Sequence, residues 1–125
     1  MSDITDDLYT QLSSASTPAG TRIYPLVAAT PLQAAGYPFV TYQCLASPVE
    51  NILDGNGAPP INNTRFQIDC YDRGYKGVRA LTKAIIAALQ AWGVQNTVQT
   101  SPEDFYESEI QAYREMFEVS VWHYD

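Results

Sequence analysis

The sequence is poor in the side chains on which enzyme chemistry most often depends. Its 125 residues include one histidine, His123, and two cysteines, Cys44 and Cys70, which lie far apart in strand-like segments. A catalytic or metal-bound histidine needs partners that orient it, and the cysteines do not have metal-ligand spacing. We therefore expect no enzyme activity, no catalytic residue, no metal site and no cofactor. Both thiols should be reduced and packed, although a disulfide could form if their strands are neighbours.

Charge is also scarce, and one sign dominates. Charged residues make up 17% of the sequence, below the usual share of about 25%, and seven basic against fourteen acidic residues give a net charge of −7. An acidic protein repels phosphate backbones, so specific nucleic-acid binding is not expected. The sequence has no basic start followed by an apolar run and no apolar run of about 18 residues. We therefore expect neither a signal peptide nor a membrane span.

The apolar pattern predicts two main helices in a single domain, residues 1–125, because a chain of this length has little material for a second core. Ile4, Leu8 and Leu12 recur at helical spacing. Residues 75–92 carry the clearest apolar stripe, with Asp72 as a plausible N-cap and Gly93 in the place of a C-terminal glycine.

Four strands are predicted, at 39–46, 64–71, 94–100 and 115–124, while 101–104 is interpreted as a turn. The stretch 21–27 is only briefly extended, because Pro25 interrupts it. The expected fold is therefore α+β: a mostly antiparallel four-stranded sheet with two main helices packed on one face and a long loop between the first two core strands.

That loop, residues 48–63, is a first candidate for binding a partner. Its Asp-Gly, Asn-Gly and Pro-Pro steps are turn signals, and a loop this long in a small domain is usually functional or orders on a partner. Its candidate contact residues are Asn51, Ile52, Leu53, Asp54, Asn56 and Ile61.

Two charge clusters are further candidates. Four of the seven basic residues, Arg73, Lys76, Arg79 and Lys83, crowd the start of the second helix, where the helix dipole disfavours positive charge. Acidic residues gather later in the sequence, at Glu103, Asp104 and Glu107. Both clusters could simply be solvated faces. Alternatively, the basic face docks on the acidic segment 103–118 of a neighbouring copy.

Several motifs together resemble a known family: RIYP at 22–25, YPFVTYQ at 37–43 and RFQIDCYDRGYKGVRALTKAIIAAL at 65–89. They resemble the tail-completion proteins of long-tailed bacteriophages, also described as tail terminators or head-tail joining proteins. The most recognisable part is the strand with Arg65, Gln67, Asp69 and Tyr71 and the helix that follows it.

The resemblance implies a structural virion protein located in the tail or neck and assembled in the bacterial host cytoplasm. Such a protein is expected to form a homo-oligomeric ring, typically hexameric, that caps the tail tube, ends tube polymerisation and docks the head connector. Its implied partners are the tail tube protein and the head-closure or connector protein. A head-closure, neck or minor tail protein is the alternative, and a small host ligand-binding domain using tyrosine and tryptophan is a more distant one.

Overall fold

The computed structural model describes residues 4–25, 36–45 and 61–124, and within these ranges it contains two helices and six strands. No helix in the described part is long and apolar enough to cross a membrane. In chain order the elements are α1 (Ile4–Ser14), β1 (Ile23–Pro25), β2 (Phe39–Cys44), β3 (Ile61–Asp72), α2 (Tyr75–Gln90), β4 (Asn96–Val98), β5 (Glu103–Glu107) and β6 (Ala112–Tyr124).

The strands form one mixed sheet in the order β1-β2-β3-β6-β4, and β5 also pairs with β6. Strand β1 runs parallel to β2, whereas every other pair is antiparallel. The expected four-stranded sheet is therefore wrong, because the sheet is mixed and has six strands, although the α+β class is compatible with it. Because β3 occupies one side of β6 along almost its whole length, β4 and β5 follow each other along the other side.

Two of the six strands were not predicted from the sequence, and each omission has a physical reason. Strand β1 is three residues long and ends at Pro25, which cannot donate a backbone hydrogen bond. Strand β5 contains three acidic residues, a type depleted in strands, and its pairing depends on β6 rather than on its own sequence. The predicted loop 48–63 also extends too far, because residues 61–63 already belong to β3. The rest of that segment, 48–60, lies outside the described residues.

The hydrophobic core lies between the two helices and one face of the sheet. Its fully buried side chains come from α1, α2 and four strands, and the larger ones include Leu8, Leu12, Ile23, Leu81, Ile85, Leu89, Val40, Phe66, Ile68, Phe117, Val119 and Val121. Alternation along β3 and β6 brings every second residue to this face. Burying a side chain of this size contributes about 1.5–3 kcal/mol.

The thiols occupy different environments. Cys70 is fully buried on the core face, and burial raises the pKa of its thiol to about 12. Cys44 is exposed at the end of β2, so the expectation that both thiols are packed is wrong for this residue. The strands β2 and β3 are neighbours, but Cys70 lies opposite Val40 and Cys44 lies opposite Phe66. Both cysteines are free.

Both predicted caps of α2 are wrong. The helix begins after Gly74, and Asp72 instead ends β3, where its carboxylate accepts a hydrogen bond from the Arg73 N–H at 2.7 Å. The C-cap is Ala91, in a right-handed helical conformation, and its N–H donates to the carbonyl of Ala87. The helix therefore stops without a left-handed glycine.

Gly77, at the start of α2, leaves space that the Asp72 carboxylate occupies. A Cβ added to Gly77 would overlap Oδ2 of Asp72, although alanine is ordinarily the better helix former by about 1 kcal/mol. We predict that Gly77→Ala destabilises the protein by about 1 kcal/mol, because the Asp72 side chain has to move. In an Asp72→Ala background the same substitution should stabilise by about 0.5–1 kcal/mol. Urea denaturation of the four proteins measures both values, and an equal effect in the two backgrounds would refute the contact.

Candidate assembly interface

His123, the one histidine of the chain, lies at the end of β6. Its Nε2 is 2.8 Å from the hydroxyl oxygen of Thr64, within hydrogen-bonding distance. The ring lines an open cleft of about 380 Å³ together with Ile4, Asp7 and Trp122. Within the described ranges no group of three or more histidine, cysteine or acidic side chains has a geometry that could hold a metal ion. The geometry of His123 is that of a strand-end side chain bonded to its neighbouring strand.

The basic residues of the second-helix region do not act as one group. Arg79 lies 3.6 Å from the Glu115 carboxylate and 3.9 Å from that of Asp104, all within one chain. Arg73 stacks over the Tyr37 ring, 4.9 Å from its centroid. Lys76 and Lys83, by contrast, are exposed and form no ion pair with any described residue. We call these two side chains, two helical turns apart on one side of α2, the lysine ridge.

Some of the acidic candidates are also bonded within the chain, whereas another is not. Asp104 accepts a hydrogen bond from the Tyr75 hydroxyl at 3.0 Å, and Glu107 accepts one from Arg114 at 2.9 Å. Glu103 is exposed on β5, and no ion pair or hydrogen bond within the described part of the chain engages its carboxylate. The opposite charges that sequence analysis assigned to two different subunits are thus partly paired inside one subunit.

One candidate of the predicted loop lies within the described residues. Asn51, Ile52, Leu53, Asp54 and Asn56 lie outside the described residues. Ile61 is the first residue of β3, opposite Tyr124 of β6.

Glu115 is a buried acid that the sequence analysis missed. It lies on the core face of β6, its side chain is 3% exposed, and its Oε2 has no hydrogen-bond partner. Burial raises the pKa of Glu115 above its usual range, the facing acid Asp104 raises it further, and Thr82 and Arg79 oppose the shift. The signal was present in the sequence, since Glu115 continues the alternation of Phe117, Val119 and Val121.

A second charged network lies on the sheet face that points away from the helices. Arg114 contacts Asp69 at 3.2 Å and Glu107 at 2.9 Å, and its guanidinium lies 4.4 Å from the centroid of the Phe105 ring. Asp69 is buried and also accepts a hydrogen bond from Gln67. The three side chains that Arg114 contacts come from β3 and β5, so it links two strands that do not pair with each other.

Aromatic side chains form two groups that sequence analysis did not identify. Phe39 is fully buried on the face away from the helices and stacks on Tyr71 with ring centroids 4.6 Å apart. Near the start of α2, the rings of Tyr75 and Tyr106 meet Tyr113 edge-on, with centroids 5.6 and 5.0 Å away. Tyr106 is 55% exposed, so the second group reaches the surface. Amphipathic rings of this kind are enriched at protein interfaces.

These features define a small α+β protein whose distinctive side chains lie at surfaces and strand junctions suited to contact with other proteins. A family model described as "Tail completion protein gp17" matches residues 6–124. The chain therefore belongs to the tail completion protein gp17 family, which confirms the resemblance found around residues 65–89. It is accordingly a structural, tail-associated virion protein.

A solved structure supports the same fold. One chain of the virion of a native gene transfer agent particle aligns with a TM-score of 0.59 at 16% sequence identity. The alignment covers 94% of this chain and 92% of that chain. At this identity the likeness shows a shared fold. A comparison with curated protein sequences finds no match.

The network around Arg114 generates a stability prediction. Replacing Arg114 with methionine keeps the aliphatic stem but leaves the buried Asp69 carboxylate without its cation. We expect a loss of about 2 kcal/mol in the free energy of unfolding, measured by urea denaturation. Arg65→Met is the control, because Arg65 is exposed and its pair with Glu118 spans 4.0 Å, so its loss should be below about 0.5 kcal/mol. Equal losses would contradict a special role for Arg114.

Proposed function

We propose that this protein forms a ring, which we expect to be hexameric, that caps the tail tube, ends its polymerisation and presents a docking surface to the head connector. Membership of the tail completion family across residues 6–124 is the observation that carries the proposal. The work of such a protein is done by its contacts, so we propose no catalytic step. It would assemble in the host cytoplasm and remain in the tail or neck of the virion.

The distribution of unpaired charge supports contacts between copies. The lysine ridge presents two cations on a chain of net charge −7, and Arg79 and Arg73 are already engaged within the chain. Exposed Glu103 is a matching anion on β5, on the opposite side of the sheet from α2. A ring is built from repeated contacts between two different surfaces of each copy. We propose that the lysine ridge of one copy faces Glu103 of the next.

The lysine ridge can be tested by charge reversal. Lys83→Glu should weaken self-association about tenfold, because it replaces an attraction across the interface with a repulsion. Lys76→Glu should act in the same direction, and raising the salt concentration should weaken the parent assembly. Sedimentation velocity of the purified protein, with and without tube protein, measures the assembled fraction.

Matched variants make this test specific. Arg65→Glu changes the net charge by the same amount on the sheet face that also carries Glu103, but on β3, with β6 between it and β5, and should leave assembly unchanged. Adding Glu103→Lys to Lys83→Glu should restore association, since the pair is then reversed as a whole. Equal loss in Arg65→Glu, or no effect of Lys83→Glu, would rule out this interface.

The ring-capping role is tested separately, by electron microscopy of particles made without this protein. A terminator that halts tube growth predicts overlong tubes detached from heads. Tails of normal length beside heads that leak their contents would contradict the proposal and indicate a head-closure part.

A further inference from the structure

Two acidic side chains face each other directly where β5 pairs with β6. Asp104 lies opposite Glu115 in the antiparallel register, and both point to the side of the sheet covered by α2. Like charges in this position repel each other and destabilise strand pairing. Glu115 is almost completely buried, so water cannot screen the pair effectively. The arrangement is costly if both carboxyl groups are ionised.

The surrounding groups supply one positive charge for the two carboxyl groups. On α2, Arg79 approaches both acids, Tyr75 donates to Asp104, and the Thr82 hydroxyl, which donates to the Val78 carbonyl, lies beside Glu115. On β3, Cys70 lies opposite Glu115 and carries a neutral thiol. On β6 itself, the nearest titratable neighbour on this face is Tyr113, which packs against Tyr75 and Tyr106. The guanidinium of Arg79 can therefore neutralise only one carboxylate. The charges of the group balance only if the second carboxyl group is protonated.

Oε2 of Glu115 is buried, lies 3.6 Å from the Arg79 guanidinium and makes no hydrogen bond. A protonated carboxyl group, unlike a carboxylate, could donate to the facing Asp104. Strand β5 pairs only with β6 among the described strands, so the contact between the two acids bears directly on whether β5 stays in the sheet.

We propose that a proton shared between Asp104 and Glu115 holds β5 on the sheet, so that β5 is a proton-dependent edge strand. With the proton present, the pair carries one negative charge, balanced by Arg79, and β5 stays bonded to β6. When the proton leaves, two facing carboxylates remain beside one cation, and β5 separates from β6. The exposed Tyr106 moves with this strand, so the surface that the protein offers at this end changes with pH.

The direction of the pH dependence follows from the two acids. The raised pKa of Glu115 means that its stabilising contribution is present in acid and is lost as pH rises through that pKa. Asp104 has a lowered pKa, caused first by the facing Glu115 and then by the hydrogen bond from Tyr75, so its contribution is lost only in stronger acid. Pairing of β5 should be strongest between these two steps and should weaken toward higher pH.

Amide hydrogen exchange followed by NMR from about pH 4 to about pH 8 tests this proposal, with each rate divided by the intrinsic rate at that pH. Protection of the β5 amides relative to those of β4 should fall by about tenfold or more as pH rises. Glu115→Gln should abolish this fall, because a neutral amide cannot lose the proton. Glu103→Gln removes an exposed carboxylate of the same strand and should keep the parental profile.

A second variant keeps the test decisive if Glu115→Gln does not fold. Asp104→Asn alters an exposed side chain, and carboxyl ¹³C shifts should then show Glu115 titrating at a lower pH than in the parent, because a facing negative charge is gone. A parental β5 protection that does not change with pH, or a Glu115 titration that Asp104→Asn leaves unaltered, would overturn the proposal.

Discussion

The pairing of β3 with β6 is the interaction on which the rest of the structure depends. The two strands run antiparallel from the Ile61–Tyr124 pair to the Asp72–Tyr113 pair, and each is longer than any other strand in the described part of the chain. Strand β2 adds to one side of this ladder, and β4 and β5 add to the other. Helix α2 begins three residues after β3 ends and packs back over the ladder, so the ladder also determines where α2 lies.

The two faces of the ladder use different kinds of interaction. The helix-covered face is apolar along β3, with Phe66 and Ile68 fully buried opposite Val119 and Phe117. The other face carries Asp69 and Arg114, whose charges are stabilised by each other and by Glu107. Apolar packing tolerates small changes in geometry, whereas a partly buried ion pair requires its partners at fixed positions. The second face therefore depends more strongly on the correct register of β5.

This difference explains how much could be predicted from the sequence. The apolar stripe of α2 and the alternation of β3 and β6 are local patterns, and the structure places their residues in the core as expected. The pairing of β5 and the partners of the buried acids Asp69 and Glu115 are not local features. Whether an acidic residue pairs with a cation is decided by strands distant in sequence, as when Arg114 of β6 meets Asp69 of β3. The sequence therefore predicted which charged side chains belong to the candidate interface. It did not predict which of them form ion pairs within the chain and which do not.

Whether a charged side chain is already paired within its own subunit affects how it can contribute to contacts between proteins. A cation that already contacts two acids in its own subunit, as Arg79 does, has little left to offer a neighbour and serves mainly to hold β5 beside α2. For an exposed lysine without a partner in the described chain, contact with an external anion costs less free energy, because no internal ion pair has to break first. The same logic applies to Asp104 and Glu103, adjacent on β5 but on opposite sides of it. One acid keeps the strand in place, and the other is available to a second protein.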